Sequence, residues 1–202
     1  MSTSDPNSYH NDEYKPLPSP SRNIYNSLIE SSHDKWGWLI YRTTYADDAA
    51  WDRFKAFDKE KFDGATREGL RAHFAERAEG AYGREQPRAT DTWKLTSAAR
   101  YRYFLQVDEE AVVEFIAEDP TYPDLNHDGG SHVKLIKVEW EPDVEADPEE
   151  IAYEVIDGLS QYDVGWMEIG SPQIGIDLYE PLSGPEDAWS LEYLRPPGMF
   201  SG

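Results

Sequence analysis

The chain predicts an α+β fold: a mainly antiparallel sheet covered by helices on one face, with a ferredoxin-like core carrying insertions. Three observations lead there. Short aromatic and β-branched runs suited to strands recur along the chain, around Leu39, Tyr103, Val133 and Val164. Between them lie stretches with apolar residues at helical spacing, opened by Asp and closed by Gly or Pro. Finally, 39% of the residues are hydrophobic, and seven Trp and thirteen Tyr are among the 202 residues. Such rings bury roughly 150–250 Å² each, so they supply a core even in a strongly charged chain.

Residues 1–30 read as a disordered tail and 31–202 as a single domain. Pro6, Pro16, Pro18 and Pro20 sit among Ser, Asn and Asp without apolar periodicity. Within this tail Ser19-Pro20-Ser21-Arg22 has the form of a proline-directed phosphorylation site; the plainer reading is a solvated arm. Trp36 to Tyr45 reads as a central strand, because Trp38, Ile40 and Arg42 alternate with Leu39, Tyr41 and Thr43 and both faces are largely apolar. Asp47 caps a helix that turns Trp51, Phe54 and Phe57 inward, and Gly64 ends it. A second helix spans 65–78 with Leu70 and Phe74 on one side and a solvated face of Arg67, Glu68, Arg71, Glu76 and Arg77 on the other.

A short strand at 92–96 and a longer one over 100–107 follow. Asp108 caps the next helix, whose stripe is Val112, Val113, Phe115 and Ile116, and Pro120 stops it. A strand covers 132–140. Asp147 and Pro148 open a helix running to Leu159. Strands at 164–169, 174–179 and 190–194 close the fold, and Arg195-Pro196-Pro197-Gly198 ends regular structure.

Charge divides the chain. Up to Arg102, Lys/Arg and Asp/Glu balance; beyond it only Lys134, Lys137 and Arg195 are basic, so the later half carries the whole net charge of −21. Such a surface is repelled by nucleic-acid phosphate and anionic lipid, and it suits a basic protein partner. No apolar run is long enough to span a membrane, and no secretory leader is recognised. The expected location is cytoplasmic or nuclear. Without cysteine there is no disulfide framework, thiolate metal site or cysteine nucleophile.

Three groups of residues could carry function. The acidic segment holds Glu139, Glu141, Asp143, Glu145, Asp147, Glu149 and Glu150 around Trp140, and reads either as a docking strip for a basic protein or as a solvated loop. Trp38, Arg42, Tyr103 and Lys137 lie on strands, where buried polar groups need partners; they could line a pocket of the kind enclosed by dimeric α+β barrels, or simply belong to the core. A homodimer would accompany that arrangement. Asp124, Asn126 and Asp128, followed by Gly129, match the first half of an EF-hand loop and could hold Ca²⁺ weakly. The twelfth loop position is Leu135 rather than Glu, so a true EF-hand is excluded and no cofactor is otherwise expected. His127 and His132 lie close to these carboxylates in sequence. G-x-S-x-G, P-loop, H-E-x-x-H and G-x-G-x-x-G signatures are absent, so the sequence leaves open whether the protein is an enzyme.

Trp36-Gly37-Trp38-Leu39-Ile40-Tyr41-Arg42, with Asp163-Val164-Gly165-Trp166-Met167 and Tyr193-Leu194-Arg195-Pro196-Pro197, resembles the opening and closing segments of a family of filamentous-fungal proteins. The resemblance implies a cytosolic or nuclear fungal protein and brings no catalytic residues. The leading expectation is therefore an acidic, non-catalytic interaction protein; the alternative is a small-molecule enzyme or binder with a pocket on the sheet.

Overall fold

The computed structural model describes residues 34–35, 37–44, 65–87, 98–118, 131–143, 153–170, 173–183 and 187–200. The tail with Ser19, the helix expected after Asp47, the strand at 92–96 and the Asp124–Asp128 loop lie outside these residues. A sheet of five strands organises the rest: β1 (Leu39–Arg42), β2 (Tyr103–Val107), β3 (His132–Lys137), β4 (Trp166–Gly170) and β5 (Met199–Phe200), in that spatial order. The described helices are α1 (Arg67–Glu85), α2 (Ala99–Arg102), α3 (Glu109–Glu118), α4 (Ile176–Leu182) and α5 (Ala188–Glu192).

The class is α+β, but the sheet is mixed rather than mainly antiparallel. β2–β3 and β3–β4 pair antiparallel, whereas β1–β2 and β4–β5 pair parallel. The reason lies in the connections. β1 reaches β2 through α1 and α2, and β4 reaches β5 through α4 and α5, so each link is a crossover long enough to return the chain in the same direction. The mixed order does not by itself identify a ferredoxin-like core. β1 is an edge strand among the described residues, not a central one. Its apolar character comes from helices packed over both of its faces.

Helices cover both sides of the sheet, where one covered side was expected. One side joins Leu39, Tyr41, Phe104, Ile136 and Trp166 to Leu70 and Phe74 of α1. The other joins Tyr103, Leu105, Val133, Leu135, Met167 and Ile169 to Leu178, Tyr179, Leu182 and Trp189 of α4 and α5. Leu70 and Phe74 stand one helical turn apart, and burying each is worth roughly 2–3 kcal/mol. Thr66 caps α1 by accepting from the Gly69 N–H at 3.2 Å. Asp108 starts α3 as expected, accepting from the Ala111 N–H at 3.2 Å. Val113, expected in the stripe, is instead 58% exposed.

Three further expectations are corrected. Residues 99–102 form a helical turn, because Arg100 and Tyr101 both bond Glu85, which adjacent residues of a strand could not do. The segments at 174–179 and 190–194 are mainly helical, since Leu178 and Leu182, and likewise Trp189 and Tyr193, are four apart and bury together. Residues 153–159 form no helix; Ile156 bridges to Leu159 across a turn at Asp157 (φ 52°) and Gly158 (φ 83°). Regular structure also continues past Arg195, as β5.

The C-terminal end of α1 holds the entry to β1. Gln86 accepts from the N–H groups of Asp34 and Lys35 and donates to Lys35 O and to the Tyr101 hydroxyl. Arg100 pairs with Glu85 at 2.7 Å and donates to Gly37 O at 3.1 Å. The Arg100 bond holds the Glu85 carboxyl below its ordinary range, with burial opposing it. Its stabilising effect is complete above the unfolded value of roughly 4.3 and is lost as pH falls through the lower folded value. Glu85→Gln is therefore expected to lower stability by roughly 1–2 kcal/mol at pH 7 and to flatten the acid side of the stability curve. Denaturant melts from pH 7 to 3 check this; parallel curves for the two proteins would refute it.

Candidate functional site

The residues that carry chemistry fall into three places. The first is the surface beside the β3–β4 connection. Glu139, Glu141 and Asp143 are exposed, whereas Trp140 is half-buried beneath Arg71, whose guanidinium lies 5.1 Å from the ring centroid. Trp140 is thus part of the framework and not an exposed anchor. Glu145, Asp147, Glu149 and Glu150 lie outside the described residues. The Asp143 N–H donates to Gln161 Oε1 at 3.0 Å, which ties the acidic strip to an exposed pair of rings, Tyr153 and Tyr162, with centroids 5.3 Å apart.

The arginines around this surface are engaged by the fold: Arg71 is turned inward, and Arg195 lies 5.2 Å from the Tyr153 ring centroid. Arg71 donates to Lys137 O at 3.0 Å and Gly165 O at 3.1 Å, and burial lowers its guanidinium from the ordinary value against the pull of Glu68. This corrects the expectation that Arg71 belongs to a solvated face. Arg67 lies 4.1 Å from the Trp166 ring centroid and bonds Asp157. Arg195 donates to the carbonyls of Glu154, Gln161 and Tyr162. Arg67 neutralises one acid of the later half. Arg71 and Arg195, by contrast, spend their donors on backbone carbonyls.

Beneath the same surface the loop before β4 is clasped from the C-terminal side. Asp163 accepts from the Gly165 N–H at 2.7 Å and from Trp189 Nε1 at 2.8 Å. The Tyr193 hydroxyl accepts from the Val164 N–H and donates to Tyr162 O, both at 3.0 Å, and burial pushes it up to about 12. The segments around 163–167 and 193–197 thus meet in space.

The second place is the row of Trp38, Tyr103 and Lys137 at one end of the sheet. Tyr103 pairs with Lys137, and Trp38 immediately precedes Leu39, the neighbour of Phe104. Tyr103 is fully buried and stacks on Trp189 at 5.5 Å, and Trp38 meets Tyr179 edge-on at 5.1 Å. Lys137 Nζ stands 5.7 Å from the Trp189 ring centroid. Arg42 is not part of this row. It lies at the far end of β1, where Nε donates to Thr44 O. The rings fill this end of the face, while Trp38 Nε1 and the Tyr103 hydroxyl are buried without a hydrogen-bond partner among the described residues. Burial raises the Tyr103 hydroxyl above its ordinary value.

The third place was not foreseen as a group. His132 and Lys134 lie on one face of β3, both buried, with Glu168 of β4 across from Lys134. Lys134 Nζ reaches Asp108 at 2.6 Å and Glu110 at 3.0 Å; burial is the largest single effect and disfavours its charge, but the two acids together raise its ammonium above its ordinary value. His132 Nδ1 lies 2.7 Å from Glu114 Oε2, and Nε2 lies 3.8 Å from Glu168 Oε1. The legible signal was the pair Glu110 and Glu114, one turn apart on a capped helix. Leu135, the residue that excluded an EF-hand, is fully buried on β3.

No protein-family model, no curated protein and no solved structure matches the chain. No described helix is long and apolar enough to cross a membrane.

Proposed function

We propose that this is an intracellular interaction domain, cytoplasmic or nuclear, that binds a basic protein partner through the acidic strip and its neighbouring tyrosines. One observation carries the reading: Glu139, Glu141 and Asp143 are exposed beside an exposed tyrosine pair, while Arg71 points into the fold and Arg195 lies over Tyr153 with its donors on backbone carbonyls. Carboxylates steer a cationic partner and raise its encounter rate, and the rings add area and cation–π attraction to Lys or Arg. A filamentous-fungal family is part of the same proposal, and it rests on the residues at 36–42, 163–167 and 193–197 alone.

Binding of a Lys/Arg-rich peptide to the full chain tests the reading. Raising salt from 50 to 500 mM shortens the screening length severalfold, and affinity is expected to fall about tenfold or more. Reversing Glu139, Glu141 and Asp143 to Lys together is expected to abolish binding, and Tyr153→Ala with Tyr162→Ala to weaken it at least threefold. Affinity indifferent to salt, or to both sets of substitutions, would refute it. The unpaired Trp38 Nε1 and Tyr103 hydroxyl favour a second reading, a small polar ligand at the sheet face. The ring packing around them and the parallel outer strand pairs weigh against the barrel-type version of that reading.

A further inference from the structure

We propose that Glu110, Glu114 and His132 form a binding site for a divalent first-row transition ion of the Zn²⁺ type. One ligand atom from each lies within 4.8 Å of the other two. Glu110 and Glu114 stand one turn apart on α3, so both carboxylates reach the same point beside the helix. The imidazole comes from β3, a different element, and its side chain is only 7% exposed. Zn²⁺ binds nitrogen and carboxylate oxygen at about 2.0–2.2 Å, so the three groups need to close by roughly an ångström. Glu110 is 60% exposed and Glu114 37%, which leaves both free to rotate inward and leaves an entry path from solvent.

The independent observation is the state of the buried imidazole. Glu114 Oε2 is 2.7 Å from Nδ1 yet takes no hydrogen bond of proper geometry, and Nε2 is buried without a hydrogen-bond partner among the described residues. Glu168 Oε1 is 3.8 Å from Nε2, too far for a hydrogen bond. A cation held between the imidazole and Glu114 would give these buried atoms the partner they lack. Charge agrees with this. Asp108 and Glu110 share the ammonium of Lys134, while Glu114 and Glu168 face His132, so the cluster holds more carboxylates than the one Lys among these residues can balance. Lys134 keeps Asp108 at 2.6 Å when Glu110 turns to the ion. Two carboxylates with one imidazole suit Zn²⁺, Mn²⁺ or Fe²⁺ better than an all-oxygen Ca²⁺ cage.

Calorimetric titration of chelator-treated full-length protein with ZnCl₂ tests the site, with Co²⁺ absorption as a second readout of the ligand field. One ion per chain and a rise in melting temperature with Zn²⁺ are expected. Glu114→Gln and His132→Gln should each abolish the high-affinity event. Glu168→Gln, which removes a nearby negative charge but no ligand, should weaken it by less than either ligand variant. Glu114 is partly exposed, so its variant keeps the fold even where a change at His132 disturbs it. Absence of one-to-one binding at millimolar Zn²⁺, or unchanged affinity in folded Glu114→Gln, would overturn the assignment.

Discussion

Trp189→Ala is expected to remove roughly 4–5 kcal/mol of stability, a large part of what a domain of this size holds. Trp189 is 1% exposed and sits where three parts of the fold meet. Its ring stacks on Tyr103 of β2 and packs on Tyr193 at 5.1 Å, while Nε1 donates to Asp163. Truncation opens a cavity under the sheet and leaves Asp163 short of a donor in a half-buried position. Trp189→Phe is the milder change. It keeps most of the ring contact and loses the hydrogen bond with part of the buried ring volume, so a loss of about 2 kcal/mol, well below that of the alanine variant, is expected. Denaturant midpoints with unchanged slopes provide the measurement. A loss below about 2 kcal/mol for the alanine variant would show that the ring stack does not anchor the C-terminal helices.

Gly165→Ala is expected to cost roughly 3–4 kcal/mol, for two separable reasons. Its φ of +76° strains any residue with a Cβ, at about 1–2 kcal/mol. A Cβ there would also stand 2.4 Å from Trp140 Cδ2 and 2.7 Å from Arg71 Nη2. Backbone relaxation cannot relieve this cheaply, because the Gly165 carbonyl accepts from both the Lys137 N–H and Arg71. The Trp140 ring would have to leave its place under Arg71. Gly158 provides the comparison. Its φ is +83°, but an added methyl would meet nothing within 4 Å, so Gly158→Ala should show the strain alone. Equal losses at the two positions would mean that the Arg71–Trp140–Gly165 clasp is soft.

Much of this architecture could be read from local pattern. Alternation marked strands at Leu39–Arg42, with two largely apolar faces, and at Tyr103–Val107, with one apolar face, and Leu70 with Phe74 marked the buried side of α1. Asp108 was recognisable as a cap because a short polar side chain before an apolar stripe has one obvious use. The segments at 174–179 and 190–194 were misread for an equally local reason. In Ile174-Gly175-Ile176-Asp177-Leu178-Tyr179 the apolar residues alternate as a strand would, and the helical spacing appears only when Leu182 is included. Of the functional residues, the acidic strip was visible as composition. His132 was noticed for its nearness in sequence to Asp124 and Asp128, whereas in the fold its described neighbours are Glu114 and Glu168.

The sequence by itself determined the α+β class, the strands at Leu39–Arg42 and Tyr103–Val107, and the excess of carboxylates after Arg102. Tertiary structure decided the parallel outer pairings, the engagement of Arg71 and Arg195 by the fold, and the convergence of α3 with β3 on His132. The physical reason is one of range. Periodicity reports which neighbours along the chain share a face, because backbone geometry sets it residue by residue. Which distant face meets another is set by packing the whole set of elements at once, as where Arg71 reaches Gly165 across 94 residues.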